Sequence, residues 1–556
     1  MKSFRVTILL VLLAPLIKIN GQEYLIKLSD LYIDGQKSPF NNVKPGDTVW
    51  LQSGTRSYLK MANFHGASGK PIVFANYNGQ VIVDTDYNYG FSFSDCAYFK
   101  LTGIPGSGYK YGINITRVAN PSGMGIAASN KSTNFEIENC EISDIGFAGV
   151  MTKTDPVCDQ PDTFRSGFVQ YNISIHDCFI HDVIGEGMYI GSSFYRGQHI
   201  SPCDTTVLPS VIVGAQIFNN RIERTGLDGM QVSSVVSNCE IHHNVLIDCS
   251  YRMLGGQMNS ILIGGGTKAK CYNNKIIDSY GAGILVFGKG GTEVFNNLIL
   301  RAGKRYLPSD MEEPESAIFI ADKSLDEKSF YGVYNNTIVQ PKSDGITIDP
   351  SVKFPTYIKN NAIIDPGAYN HYENENNGKT GFDSYIDDLG NTGLYASENN
   401  FFINSLASAG FVNVAGDDFH LIPGSPLIDA GQDLRTHGVS TDLDDRSRPV
   451  GAKFDIGAYE YSASQSIEYK PDNADFDVSS ICSDPSGTLT INLQGNRNML
   501  VRIRVLDVLG RDQGNCGNFT IVTGTNQFNL PIRSHGLVIL LIQSDRQCYA
   551  SKIFVI

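Results

Sequence analysis

Short apolar stretches alternate with turn residues along this chain, and the alternation recurs. A doubled asparagine followed one residue later by an aliphatic reads FNNRI at Asn219 and Asn220, YNNKI at Asn273 and Asn274, and FNNLI at Asn296 and Asn297. It reads YNNTI at Asn335 and Asn336 and KNNAI at Asn360 and Asn361, with weaker copies at Asn139 (ENCEI), Asp177 (HDCFI) and Asn244 (HHNVL). Second positions lie 24 residues apart from Asn220 to Asn244, 23 from Asn274 to Asn297 and 25 from Asn336 to Asn361. The remaining gaps of 30 to 42 residues read as one such unit plus an inserted loop. In register with these turns, a small residue opens a second kind of strand at Gly125, Gly149, Gly187, Gly229, Ser260, Gly283, Ala317 and Gly345.

Three short strands in about 23 residues predict one rung of a right-handed parallel β-helix, each rung hydrogen-bonded to the next. Alternation places Met188 and Ile190 inward, under Met230 and Val232, then Ile261 and Ile263, then Ile284 and Val286. Tyr189, Gln231, Leu262, Leu285, Phe319 and Thr347 then face outward as the floor of a groove. The asparagines read as structural: their amides tolerate left-handed turns and hydrogen-bond from rung to rung as a ladder.

Insertions flank one sheet on both banks. Loops of roughly twenty residues follow Val150 and Ile190, while SYRMLGGQMN precedes Ser260 and RAGKRYLPSDMEEPES precedes Ala317. Long loops in a compact repeat carry function, so the rungs from Gly149 to Ala317 are the expected site. Cys158 and Cys203 lie in loops of neighbouring rungs and form a candidate bridge, whereas Cys140 and Cys178 occupy equivalent turn positions where stacking suffices. The helix is expected to end in GSPLIDAG through DIGAYEY, from Gly424 to Tyr461. The predicted architecture is all-β: a signal peptide over 1–21, a β-helix over 22–462, a linker over 463–475, and a small β-sandwich over 476–556. Cys482, Cys516 and Cys548 lie in that last module, where three cysteines allow one pair.

Composition adds limits. Lys2 and Arg5 precede an apolar run from Val6 to Ile17, a secretory pattern too short to span a bilayer comfortably. The mature chain is therefore expected to be secreted or held at the cell surface, with no transmembrane segment. A net charge of −13 without a basic block argues against a nucleic-acid partner. Eleven cysteines permit disulfides in an exported chain but leave at least one thiol unpaired.

The stretch VKPGDTVWLQSG at Val43, the rung pattern, and GSPLIDAG with DIGAYEY together resemble secreted right-handed β-helix proteins of the pectate-lyase-like group. That resemblance implies the fold; such helices carry lyases, hydrolases, epimerases, adhesins and binding proteins alike. VRIRVLDVLGRD at Val501 and the closing KIFVI resemble the C-terminal sorting domain of type IX secretion, without its usual proline-asparagine-proline opening. This second resemblance implies a Bacteroidetes-type bacterium, a module that directs export, and the secretion machinery as a partner.

Aligning rungs on the strand-opening residue puts Glu186, Asp228, Asn259, Ala282, Ser316 and Asp344 in one column. Two carboxylates and a carboxamide on consecutive rungs, about 4.8 Å apart, are costly unless protonated, paired or holding a cation. One chemistry is general acid and base catalysis on a glycosidic bond by Glu186 and Asp228. GEGMYIGSS at Gly185 is similar to the GHGISIGS stretch of polygalacturonases and LDGM at Leu227 to their NTDGI stretch, in the opposite order and with Glu186 at the histidine position. Only Asp228 matches a catalytic position of that family.

The other chemistry is a calcium ion held by Glu186, Asp228 and Asn259 against a uronate carboxylate, easing removal of the C5 proton. The chondroitinase B and alginate lyase family, whose fold the chain resembles, pairs such an ion with a basic residue. Candidates are Lys153, Arg165, Arg196, Arg252, Lys268 and Lys289, and Tyr189, Gln231, Arg196, Arg252 and Lys289 are the expected substrate contacts. The structural alternative for Glu186 and Asp228 is turn capping. His176, His181, His242 and His243 lie away from the groove and read as surface or ladder residues. Tyr189, Tyr195, Phe194, Phe287 and Phe319 serve either sugar stacking or rung stacking. The expected function is degradation of an acidic polysaccharide by a lyase or glycoside hydrolase. The competing class is a non-catalytic glycan-binding or adhesive surface protein that uses the same groove.

Overall fold

The computed structural model describes residues 24–106, 108–305, 316–322, 329–367, 384–462, 476–483, 488–507, 513, 517–531, 536–544 and 548–555. These divide into two compact units, 1–460 and 461–556. The secretory run and the linker, like most of the loop before Ala317, fall outside the described residues.

The first unit is a parallel β-helix, right-handed as crossovers between parallel strands of one sheet are. Twelve strands, from Tyr32–Asp34 to Ile386–Asp388, form a front sheet. Two further ladders make the other faces; the long strand Ile72–Thr85 pairs with Ala97–Thr102 in one and Ile113–Val118 in the other. In the front sheet Met188 pairs with Met230, Met230 with Ile261, Ile261 with Ile284, and Ile284 with Ile318, the register expected from alternation. All five side chains are fully buried. Strand-opening glycines allow rungs to approach: a Cβ on Gly187 would overlap the carbonyl oxygen of Gly229 on the next rung.

Each asparagine pair divides its work. The first member takes the left-handed turn, with φ of 52° at Asn273, 53° at Asn296, 49° at Asn335 and 57° at Asn360. The second points inward, and its amide nitrogen donates to the next rung's Oδ1 at 2.9–3.0 Å from Asn220 through Asn244, Asn274, Asn297, Asn336 and Asn361 to Asn400. Asn400 escapes the sequence motif because Phe402 stands where the aliphatic is expected. Cys140 and Cys178 fill ladder positions on earlier rungs as buried free thiols.

The segment from Gly424 to Tyr461 does more than end the coil. It returns over the outer side of the asparagine turns, where Asn273 donates to Asp442 O at 3.1 Å, Asn296 to Thr441 O at 2.6 Å, Asn335 to Asp455 O at 2.9 Å and Asn360 to Gln432 O at 2.8 Å. Leu434, Val439 and Phe454 bury Phe295 and Tyr334 beneath it. The pair Arg448 and Glu460, 2.7 Å apart and fully buried, is further satisfied by backbone groups of Val450, Asp455 and Gly457. Such satisfaction is what a buried ion pair requires.

The second unit has two antiparallel sheets, of three and four strands, sharing one apolar core that includes Leu489, Ile491, Val501, Ile503, Leu540 and Ile542. The side chains of Cys482, Cys516 and Cys548 lie outside those described.

Candidate active site on the front sheet

The corner leading into the front sheet stacks the aligned column as expected. Gly187 N bonds Asp228 O at 3.1 Å, Gly229 N bonds Asn259 O at 2.9 Å, and Ser260 N bonds Ala282 O at 3.1 Å. Gly283 N bonds Ser316 O at 3.2 Å, and Ala317 N bonds Asp344 O at 3.1 Å. The column is fully covered: Glu186 and Asp228 are 0% exposed and Asn259 2%. The loop 251–258 folds back over it, and Gln257 Nε2 donates to Glu186 Oε1 at 2.8 Å. Periodicity places a column but says nothing of how an insertion folds against it.

The two carboxylates have different surroundings. Asp228 Oδ1 accepts from both the backbone nitrogen and Nδ2 of Asn259, at 2.9 and 3.0 Å. Glu186 Oε2 has no hydrogen-bond partner among the described residues. Burial first, and the Asp228 charge second, push the Glu186 carboxyl well above the usual range, against weaker pulls from Lys153 and Gln257. Both effects favour the protonated form, in which Glu186 holds a proton it can give.

Of the basic candidates, Lys153 is the one whose charge acts on Glu186. Its Nζ lies 4.9 Å from the Tyr189 ring centre and 3.0 Å from Asp155 Oδ1. Tyr189 Oη and Ser193 Oγ are 2.6 Å apart, and Gln231 Nε2 donates to the same Ser193 oxygen at 2.8 Å. Nothing in the sequence spacing singled out Lys153 or Ser193; both sit in or beside insertions. Tyr189 and Gln231 face outward as expected but are covered, only 8% and 3% exposed. Farther along, Leu262, Leu285, Phe319 and Ala321 close over one another as a small second core, with Phe287 against it. Exposed surface next to Tyr189 and Gln231 is supplied by Ser193, which bonds both, and by its chain neighbour Phe194, which is 53% exposed.

The banks are rigid on one side. A disulfide joins Cys158 to Cys203, with Cα atoms 5.9 Å apart, and Phe164 bridges to Pro209. Arg165 donates to Tyr195 O at 2.5 Å and Pro209 O at 3.1 Å while stacking 4.4 Å over the Tyr195 ring. That ring rests on Gly266, whose φ is +75° and whose hydrogen occupies the space a methyl would need. Arg196 is exposed on this bank, Arg252 is exposed on the opposite one and donates to Ile184 O at 3.4 Å, and Lys289 is partly buried at a turn.

For calcium, the donor set does not fit as it stands. An ion of this kind takes six to eight oxygens, yet Asn259 turns its nitrogen to Asp228 and Gln257 occupies Glu186 Oε1. Elsewhere Glu136, Glu138 and His176 converge within 4.8 Å, but Lys100 Nζ already lies between them, 2.9 Å from Glu136 and 2.7 Å from Glu138. The histidines are ladder residues: His176 stacks on Phe218 at 4.4 Å, Phe218 on His242 at 5.1 Å and His242 on Tyr272 at 4.8 Å, while His181 stacks on Phe179 at 4.2 Å.

Residues 214–304 match the family model described as right handed beta helix region. No curated protein matches the chain. Among solved structures, pectate lyase Pel9A is similar at 13% identity and a TM-score of 0.40, covering 79% of this chain and 96% of its own. The alginate lyase from Paenibacillus sp. str. FPU-7 is similar at 14% identity and a TM-score of 0.34, over 67% of this chain and 99% of its own. The Azotobacter vinelandii mannuronan C-5 epimerase AlgE4 A-module is similar at 11% identity and 0.30, over 64% and 88%. The fold assignment rests on the strand register rather than on these likenesses.

Proposed function

We propose that the protein acts on a polysaccharide, and that its substrate is an acidic, uronate-containing chain. The observation that carries this reading is Glu186, a buried carboxyl whose protonated form is favoured by burial and by Asp228, beside a lysine that lies over a tyrosine ring. A carboxyl that holds its proton more tightly than usual is suited to act as a general acid. Lys153 offers a positive charge for a uronate, and Phe194 an exposed face for a sugar ring. In a hydrolase, Glu186 would give its proton to the glycosidic oxygen while Asp228 activates water or attacks the anomeric carbon. In a lyase, Lys153 would serve as base rather than as charge: it would take the C5 proton, the C4–O bond would break to leave a C4–C5 double bond, and Glu186 would protonate the departing oxygen. Because Asn259 and Gln257 already occupy oxygens of the two carboxylates, neither route above passes through a calcium ion. Contact with substrate requires a sugar hydroxyl to replace the Gln257 amide on Glu186.

Export belongs to the same proposal. The apolar N-terminal run and the C-terminal module support a secreted or surface-held protein sorted by type IX machinery, which fractionation of cells with and without residues 476–556 tests.

One observation favours the second reading, binding without turnover: the column is covered, and Asp228 brackets Asn259 as a structural cap would. Incubation with a panel of uronate polysaccharides, with and without chelator, separates these outcomes. Ultraviolet absorbance of an unsaturated product marks a lyase, and new reducing ends without it mark a hydrolase. Retention on an immobilised glycan with no product marks the binding reading.

A further inference from the structure

A second left-handed turn lies five residues ahead of the strand-opening glycine on most rungs, and apart from Gln340, ahead of Gly345, its positions are charged. Asp144, Asp182, Arg224, Asp248, Asp278 and Arg301 all have φ between 50° and 55°. Stacked on successive rungs, all but Asp144 take part in ion pairs along the corner. Arg224 holds Asp182 through two bonds of 2.7 and 2.8 Å, and Arg301 holds Asp417 through two of 2.7 and 2.9 Å. A row of paired charges needs no ligand. Between Asp144 and Arg305, however, the corner opens into a cavity of about 420 Å³.

Its walls are of mixed character. Tyr251 and Tyr280 come from equivalent turns of consecutive rungs, anchored by Tyr251 N to Thr225 O at 2.9 Å and Tyr280 N to Cys249 O at 3.1 Å. Ile184 and Tyr251 are 49% and 40% exposed, unusual for an isoleucine on a corner of paired charges. Arg305 holds Asp248 through Nε alone, at 3.0 Å, so its two terminal nitrogens have no partner among the described residues. The Asp144 carboxylate, exposed at the other end, has no ion-pair or hydrogen-bond partner among them either.

We propose that this corner is a second carbohydrate subsite, selective for neutral sugars. The volume lies within the usual range of small-molecule sites. A pyranose has an apolar face and a rim of hydroxyls that both donate and accept. Tyr251, Tyr280 and Ile184 meet the face, the Asp144 carboxylate accepts from the rim, and the Arg305 terminal nitrogens donate to it. Three carboxylates, those of Asp144, Asp182 and Asp248, outnumber the guanidiniums of Arg224 and Arg305 and disfavour a uronate. Those same guanidiniums disfavour a metal cation. The loop that supplies Tyr251 also lays Gln257 on Glu186, so one insertion serves both sites. The subsite does not depend on any reaction at Glu186, because what it predicts is binding.

Affinity electrophoresis of the full chain through gels holding galactomannan, xyloglucan, mixed-linkage glucan or polygalacturonate tests this. At least one neutral polymer should retard the wild type, and Tyr251→Ala and Arg305→Ala should each weaken that retardation by about tenfold. Both side chains are exposed, and unchanged melting temperatures would confirm folding. No retardation by any neutral polymer, undiminished retardation of both variants, or retardation by polygalacturonate alone would overturn the proposal.

Discussion

Replacing Asn297 with alanine should destabilise the β-helix several times more than replacing its neighbour Asn296 with glycine. Asn297 Oδ1 accepts from the backbone nitrogen and the amide of Asn274, both at 3.0 Å, and its own amide donates to Asn336 Oδ1 at 2.9 Å and Cys271 O at 3.0 Å. Alanine leaves the Asn274 backbone N–H without an acceptor in a fully buried position, a cost of ~1–3 kcal/mol. The remaining lost bonds and the small void add ~2 kcal/mol, for a total of ~3–5 kcal/mol. Asn296 makes one bond to the returning segment, Thr441 O at 2.6 Å, and glycine adopts its φ of 53° without strain, so that change costs only ~1 kcal/mol. Urea unfolding followed by circular dichroism, with the slope checked for constancy, measures both. A midpoint for Asn297→Ala no lower than that for Asn296→Gly would show that the ladder does not hold the rungs together.

Other consequences are as specific. Cys158→Ser removes a link across 45 residues of chain, for which loop entropy alone gives about 4 kcal/mol; cleavage by a non-specific protease within 153–168 or 191–210 should become faster, read by mass spectrometry. Burial would lower the pKa of His176 and of His420, but hydrogen bonds to Glu136 and Asp177, and to Asp418 and Asp444, overcome it and raise each to about 9. Since both folded values exceed the ordinary 6.5, the stability they contribute is full below about pH 6.5 and is lost as pH rises through about 9. Melting temperature should therefore fall over that window, and His176→Gln and His420→Gln should each flatten the slope.

The coil was legible in the sequence because two independent marks, the asparagine pair and the strand-opening small residue, repeat with one phase. That phase alone brought Glu186, Asp228 and Asn259 into register from 74 positions of chain. The division of labour within each pair was not legible, since it depends on Gln432, Thr441, Asp442 and Asp455 arriving from far along the chain. The same holds for access. Gln257 covers Glu186, and Ser193 ties Tyr189 to Gln231, because inserted loops fold back by contacts that no period records. The charged second turn did carry a signal, a Asp or Arg five residues ahead of Gly149, Gly187, Gly229 and Gly283, which insertions interrupt at Asp248 and Arg301.

The most direct measurement is product formation from uronate polysaccharides by the wild type, Glu186→Gln and Asp228→Asn, alongside their melting temperatures. Turnover by the wild type, with loss of turnover in both variants and retained folding, is the result expected of a buried general acid coupled to a second carboxylate. Full activity in both variants, or no product from any uronate polymer with the wild type, would contradict it.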